Sequence, residues 1–287
     1  ASVTATIRNL TISNGYGFEL AGGILNNGTL TLESVKVVNN QVETSGEDYW
    51  KGGAGIYSGE NSTLTLRDST VANNSAADSN GGGVYAFFNS IVLIERSTIS
   101  GNSANVGGGL RTLGDIQIIN STISGNSTYG WMGGAFFHTD GTMHVLNSSI
   151  VGNSAPAGST GGAFVGTFTD ANATLVFANT LLSGNSETQC FVAPWGSGVV
   201  TLSSQGNNLA TDDTCAPSAS DLVVGDALIG PLADNGGPTL THALLPGSPA
   251  IDAANRNACP KTDQRGQKRP YGKGCDIGAF ELRSKNK

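Results

Sequence analysis

Three side chains in the middle of the chain have the types and spacing that acid–base chemistry on a polysaccharide needs. Asp140 and Asp170 each follow a Thr-rich segment, and His138 lies close before Asp140. Enzymes that hydrolyse glycosides place a pair of carboxyl groups on either side of the scissile bond. These three residues are therefore the catalytic candidates of this chain.

The acidic residues nearer the N-terminus alternate with cations, which favours surface ion pairs. The acids are Glu33, Asp68 and Glu95, and the interleaved cations are Lys36, Arg67 and Arg96. A catalytic pair among these acids stays an alternative. The three histidines are His138, His144 and His242. None of them accompanies a nucleophile elbow, so the sequence predicts no Ser–His–Asp catalysis.

Four large side chains at equivalent positions predict a row that binds a ligand. Each follows an inward-facing apolar position, and they are Tyr57, Tyr85, Arg111 and Phe137. Alternation along a strand points them outward, where aromatic rings suit a sugar or a protein partner. Insertions before the glycine pairs bring three more aromatic residues to this face: Trp50, Tyr129 and Trp131. In the alternative, the insertions fold over the row and make it a second small core.

A repeat supplies the elements that would position these residues. Six segments share a glycine pair, a short apolar strand, a turn, an alternating strand and a Gly-Asn or Asn-Asn end. Their equivalent apolar positions recur every 26 to 32 residues: Ile24, Ile56, Val84, Leu110, Phe136 and Phe164. Stretches such as 63–66 alternate with period two, as strands do. Self-similarity at this period is typical of a solenoid.

The repeat unit fits one turn of a parallel β-helix. The consensus of leucine-rich repeats is missing, and propeller blades need about 40 residues. The 41 glycines, with many Asn and Ser residues, supply the tight corners. We therefore expect an all-β parallel β-helix over residues 1–210. An irregular cap region, residues 211–287, is expected to pack on the end of the solenoid.

An asparagine recurs at one corner of every unit. The six are Asn40, Asn74, Asn102, Asn126, Asn153 and Asn185. Because equivalent residues of neighbouring turns stack about 4.8 Å apart, their amides are expected to hydrogen-bond along the stack. A structural ladder is favoured over a catalytic role.

Two sets of motifs resemble known bacterial proteins. The GG[AG]-apolar and STISGN patterns resemble repeats of right-handed β-helix surface proteins, including polymorphic outer-membrane-protein and adhesin repeats. The segments PLADNGGPTLTHALLPGSPAIDAA, DQRGQKRP and CDIGAFE resemble the C-terminal region of choice-of-anchor Q proteins. These resemblances cover nearly the whole chain. They imply a right-handed β-helix at the cell surface and no defined activity.

Four cysteines lie outside the repeats: Cys190, Cys215, Cys259 and Cys275. Their spacing fits neither a zinc site nor a CxxC redox motif, and an even number is typical of disulfides in a secreted chain. Three pairings can be drawn, of which Cys190–Cys215 and Cys259–Cys275 is favoured. We expect no metal and no cofactor.

The charge distribution argues against nucleic acid as a partner. Residues 1–255 carry 6 basic and 19 acidic residues, a net charge of −13, whereas residues 256–287 carry a net charge of +6. An acidic rod repels phosphates. No apolar run is long enough to span a membrane.

Together these patterns predict a secreted, extracellular or cell-surface protein that is structural or adhesive and not an enzyme. The first strand, residues 1–12, is expected to self-associate with a second copy and allow end-to-end assembly into a filament or layer. A glycan or a cell-surface molecule is the other expected partner. The alternative function is a β-helix protein that binds or cleaves polysaccharide.

Overall fold

The structure, a computed structural model, describes residues 3–45, 50–167 and 170–283. It confirms the predicted fold: an all-β parallel solenoid of about 7 turns. The first strands are β1 (Thr4–Arg8), β2 (Thr11–Ser13), β3 (Tyr16–Phe18), β4 (Ile24–Asn26), β5 (Thr29–Glu33), β6 (Lys36–Val38), β7 (Gln41–Glu43), β8 (Ile56–Ser58), β9 (Thr63–Arg67) and β10 (Thr70–Ala72). Those that follow are β11 (Ser75–Asn80), β12 (Val84–Ala86), β13 (Ile91–Glu95), β14 (Thr98–Ser100), β15 (Ser103–Val106), β16 (Leu110–Leu113), β17 (Asp115–Ile119), β18 (Thr122–Ser124), β19 (Ser127–Met132) and β20 (Phe136–Leu146).

The C-terminal part of the described chain has shorter and less regular strands. They are β21 (Ser149–Val151), β22 (Ala163–Thr167), β23 (Ala173–Ala178), β24 (Leu181–Ser183), β25 (Cys190–Pro194), β26 (Val200–Ser204), β27 (Leu209–Ala210), β28 (Leu222–Val223), β29 (Ile229–Ala233) and β30 (Thr241–Leu244). One 3₁₀ helix, Arg256–Ala258, completes the set.

The chain winds through four parallel sheets, which we call A, B, C and D in the order it meets them. Sheet A contains β1, β5, β9, β13, β17, the second half of β20, β23 and β26. Sheet B runs from β2 through β6, β10, β14, β18, β21 and β24 to β27 and β28. Sheet C contains β3, β7, β11, β15 and β19, and sheet D contains β4, β8, β12, β16, the first half of β20, β22 and β25. One passage through the sheets is a rung.

The core is the interior of this tube. In strands β5, β9, β13 and β17 of sheet A every second residue is buried, as in Thr63–Arg67, where Leu64 and Leu66 point inward and Thr65 points outward. The inward side chains of successive rungs stack into one continuous apolar cluster. Alternation along the strands therefore decides which residues remain available on the outer faces.

Asparagine recurs at two corners of the rungs. Between sheets A and B, one residue per rung has a positive φ, and from the fifth rung this residue is Asn120, Asn147, Asn179 and Asn207. Asparagine tolerates this left-handed conformation. Between sheets B and C, the ladder from Asn40 to Asn185 runs through the interior, where each amide donates to the Oδ1 of the next asparagine at 2.8–2.9 Å.

The C-terminal region lies along the side of the solenoid, which differs from the predicted position on its end. Residues 211–223 cross the last rung and add β28. Residues 227–283, which we call the strap, then run back over the outer face of sheet B and reach Thr98. The physical reason is the outer face itself, where Thr98, Thr122 and Ser149 present hydroxyl groups to the strap. The division of domains at residue 211 stays a prediction.

Asparagine amides of the A–B corner hold one stretch of the strap. Asn207, Asn179, Asn147 and Asn120 donate from Nδ2 to the carbonyls of Ala253, Asn255, Ala258 and Thr262, at 2.9–3.3 Å. Buried backbone carbonyls need such partners. The asparagines that form the A–B corner therefore also hold the strap through their side-chain amides.

Two disulfides join the favoured cysteine pairs. Cys190–Cys215 ties the last strand of sheet D to residues 211–223, and Cys259–Cys275 closes a loop within the strap. Within the described ranges, no helix combines the length and the hydrophobicity that crossing a bilayer requires. Strand β1 pairs with β5, residues 1 and 2 lie outside the described residues, and self-association there stays a prediction.

Candidate ligand-binding groove

A shallow groove of about 450 Å³ lies on the outer face of sheet A. It crosses strands β13, β17 and β20. The outward side chains that line it are Ile91, Leu93, Asp115, Gln117, Thr142 and His144. They combine two apolar contacts with four groups that donate or accept hydrogen bonds, which suits an extended polar ligand.

The strand register sets these side chains in two rows. Ile91 is paired with Asp115, and the Thr142 N–H donates to Asp115 Oδ1 at 2.9 Å. In the second row, Leu93 pairs with Gln117, and Gln117 pairs with His144. Because the rows follow stacked strands, their spacing is that of the β-ladder, about 4.8 Å per rung.

At the corner beside the groove, strand β20 carries Asp140 and His138. Burial, and to a smaller extent the nearby Asp115 carboxylate, raise the pKa of Asp140, although a backbone hydrogen bond with Gly141 and the charge of Arg111 oppose the shift. The neighbouring carboxylate contributes because two like charges disfavour the ionised form. Asp140 is thus the carboxyl group nearest the groove whose pKa departs from its ordinary value.

His138 is buried, and both of its ring nitrogens have partners. Nδ1 lies 2.9 Å from the Thr112 hydroxyl and Nε2 lies 3.1 Å from the Gly141 carbonyl. A carbonyl only accepts, so Nε2 carries the proton and Nδ1 accepts from Thr112. Burial is the main cause that lowers the pKa of His138 to about 4. The side chain is therefore neutral near pH 7 and holds the corner in place.

The three catalytic candidates lie on two neighbouring rungs. Asp140 and His138 share strand β20, whereas Asp170 lies exposed between β22 and β23. Among the described residues, no hydrogen bond or ion pair joins Asp170 to the other two. The structure instead places Asp115 and Arg111 near Asp140.

The predicted outward row exists, but it is buried, which corrects the expectation of an open surface. Tyr57, Tyr85, Arg111 and Phe137 pair in register across sheet D, and each is at most 6% exposed. Met132, which comes from an insertion, packs in one cluster with Phe137. Tyr57 and Tyr85 instead pack with Leu113, Phe87 and Phe88, which lie outside the insertions. The row is therefore buried in small outer clusters, to which the insertions contribute only part of the cover.

Arg111 is held within this buried row. Its guanidinium lies 4.3 Å from the centre of the Phe137 ring and donates to the Thr112 carbonyl and the Thr139 hydroxyl. Burial lowers the pKa of Arg111 to about 10. Its charge is directed into the protein and away from the groove.

The other predicted aromatic residues lie apart from the groove. Trp50 is half exposed and packs against Phe87 and Phe88. Tyr129 is exposed on β19. Trp131 belongs to the same strand, and its side chain lies outside the described residues.

The acids near the N-terminus are in ion pairs. Glu33 pairs with Arg8, and Glu95 pairs with both Arg67 and Arg96. Arg96 also binds Asp68 through two contacts at 2.8 and 2.9 Å. Among the described residues, Lys36 takes no part in this network.

Sequence reasoning missed Asp115, Gln117 and His144 as site residues. A signal was present, because the first two outward positions of sheet A are both Thr in β5 and in β9 but are apolar in β13 and are Asp and Gln in β17. Alternation identified the face, but the loss of the Thr pattern marks the groove. The described residues contain no group of three or more side chains that could ligate a metal.

Comparison with protein families decides the wider relationship. A family model described as "Right handed beta helix region" matches residues 1–215. The chain belongs to this right-handed β-helix family. It has no significant match among curated proteins.

One solved structure, titled "Crystal structure of pectate lyase Pel9A", is similar to this β-helix protein. The identity is 15%, the alignment covers 98% of this chain and 86% of the other, and the TM-score is 0.40. A TM-score this low bears on neither substrate nor mechanism.

Proposed function

We propose that this β-helix protein is a non-enzymatic, adhesive glycan-binding protein that holds an extended saccharide in the groove on sheet A. The observation that carries the proposal is the pair of outward rows across β13, β17 and β20, which offers hydrogen-bonding and apolar groups together. Saccharides present hydroxyl groups and apolar ring faces in the same alternating way. A rigid sheet positions such contacts with little loss of conformational entropy on binding.

The state of the nearby titratable groups supports binding without turnover. His138 is neutral and has both ring nitrogens in hydrogen bonds. Asp170, the second predicted carboxylate, is not among the described residues that line the groove. General acid–base catalysis needs groups within reach of the scissile bond, and Asp115 is the one carboxylate among the described lining residues.

An extracellular or cell-surface location is part of the proposal. Two disulfides favour an oxidising compartment. The polymorphic outer-membrane-protein, adhesin and choice-of-anchor Q resemblances of the sequence support the same location.

Glycan binding is tested on an array, followed by isothermal titration calorimetry with the strongest ligand. Gln117→Ala and His144→Ala should each weaken binding about five-fold or more, since each removes a contact from the second row. Thr31→Ala is the matched control, because Thr31 lies in the same outward row outside the groove. Equal loss of binding in the control would contradict a site at the groove.

A second assay separates binding from cleavage. Product release from the bound glycan is followed by new reducing ends and by absorbance of unsaturated sugars. We expect none above background. Turnover that disappears in Asp140→Ala or Asp170→Ala would overturn the non-enzymatic proposal in favour of a polysaccharide-cleaving protein.

A further inference from the structure

The charges around the groove indicate which saccharide it takes. We propose that the groove binds a glycan with free amino groups, and that a protonated amine of the sugar pairs with the Asp115 carboxylate. This inference rests on the proposed function and adds a ligand class to it.

Asp115 is the charged group on the floor of the groove. Its Oδ1 accepts the Thr142 N–H at 2.9 Å, which orients the carboxylate, and the side chain is exposed. None of the ion pairs between described residues involves Asp115. An oriented carboxylate with no cation of its own is complementary to an ammonium group.

The arginine side chains near the groove are held away from it by other contacts. Arg111 is buried over Phe137 and directs its donors to Thr112 and Thr139. At the opposite edge of sheet A, Arg67 and Arg96 are in ion pairs with acids. His144 lies in the second row, beside Gln117.

The charge of the whole solenoid acts in the same direction. Residues 1–255 carry a net charge of −13, which attracts cationic chains and repels anionic ones. A uronic acid chain would bring its carboxylates toward the Asp115 carboxylate. We therefore expect anionic polysaccharides to be the weakest ligands of the groove.

Two ligands that differ only in the amine provide the test. An oligomer of β-linked glucosamine and its fully N-acetylated form have the same backbone and length. Calorimetry at mildly acidic pH, where sugar amines carry a proton, measures both with the folded full chain. We expect the free-amine form to bind about five-fold more tightly, the size of a partly exposed ion pair.

Asp115→Asn should abolish this preference, so that the free-amine and N-acetylated oligomers bind with equal affinity. An amide still accepts the Thr142 N–H, so the backbone stays in place. Asp78→Asn is the matched control, since it removes one exposed carboxylate on sheet C, and it should keep the preference. Equal binding of the two oligomers, or a preference that survives in Asp115→Asn, would overturn the inference.

A third ligand, an oligogalacturonate, distinguishes this inference from the proposed function. Tight binding of oligogalacturonate or of the N-acetylated oligomer alone would overturn the amine preference while glycan binding stands. If none of the three ligands and no glycan on the array binds, both proposals fail.

Discussion

The first three rungs and the later rungs share one core but differ on the outer face of sheet B. In the first three, the A–B corner is occupied by Asn9, Ser34 and Asp68, and the strap does not reach them. From Asn120 onward the corner is asparagine, and the strap covers the face. Arg96, whose carbonyl accepts from Thr239, marks the boundary.

This difference teaches what decides the role of a solenoid face. The inward residues are alike along the tube, so the core alone does not distinguish the two regions. From Asn120 onward, the corner amides donate to backbone carbonyls of the strap. Where it carries charges, as in Arg96 and Asp68, neighbouring rungs pair with each other. The outward residues therefore determine whether a face of the solenoid binds the protein's own chain or stays accessible to other molecules.

The largest effects are expected in the core, where the two regions should behave alike. Leu66 and Leu175 both point inward from sheet A and are fully buried, one in an uncovered rung and one in a covered rung. Leu66→Ala and Leu175→Ala should each lower the free energy of unfolding by about 2–5 kcal/mol, through lost burial and a new cavity. Chemical denaturation measures both. A cost for Leu66→Ala well below 2 kcal/mol would show that the uncovered rungs are not part of the same cooperative core.

A smaller effect is expected where the strap is fastened. Gln264 is fully buried. Its Nε2 amide donates to the Thr98 and Thr239 hydroxyls, and its Oε1 accepts from the Thr122 hydroxyl. Gln264→Ala removes these three buried hydrogen bonds and should cost about 2–3 kcal/mol. Hydrogen exchange should rise in β14 and β18 and stay unchanged in β2 and β6.

The exposed Gln205 supplies the matched control for that experiment. Gln205→Ala should change neither stability nor exchange. Faster exchange in β2 and β6 of the Gln264→Ala protein would mean that the strap also supports the uncovered rungs, against the comparison.

Lowering the pH should stabilise the strap and destabilise the uncovered region. Burial is the main cause that raises the pKa of Asp276, in the strap, to about 6. Because the folded state binds this proton more tightly than the unfolded chain, stability is gained as the pH falls from above 6 toward 4, by about 2 kcal/mol. In the uncovered region, the hydrogen bond from Arg8 lowers the pKa of Glu33. That stabilisation is present above the ordinary pKa and is lost as the pH falls through the folded value.

Denaturation midpoints measured across this pH range test both signs. Asp276→Asn should remove the gain in stability that the unmodified protein shows as the pH falls. Glu33→Gln should remove the loss in stability that the Arg8–Glu33 pair causes over the same range. If Asp276→Asn leaves the pH profile unchanged, burial of this carboxyl group does not contribute to the stability of the strap.

Much of the fold could be predicted because its cause is local and repeated. The 26- to 32-residue recurrence of inward residues such as Ile56 and Val84 predicts the rungs. Short separation along the chain favoured the disulfides Cys190–Cys215 and Cys259–Cys275, which the structure contains. Such features need no knowledge of distant contacts.

The position of the strap and the groove could not be predicted in the same way. The strap depends on contacts between residues far apart in sequence, as between Gln264 and Thr98. Alternation assigned Tyr57 and Tyr85 to an outer face, but it does not say what covers that face. Asp115 follows a glycine in an otherwise ordinary rung, and its role depends on which neighbouring side chains stack beside it.

The smallest effect is expected for a single contact between a corner asparagine and the strap. Asn120 has φ 47° and donates from Nδ2 to the Thr262 carbonyl at 3.0 Å. Asn120→Gly keeps the left-handed corner open to the backbone and removes the contact, so the free energy of unfolding should fall by about 1 kcal/mol. Asn9→Gly makes the same change at the same corner in the uncovered region and should cost less than about 0.5 kcal/mol. Equal costs would mean that the corner asparagines act through backbone conformation alone and that their amides do not hold the strap.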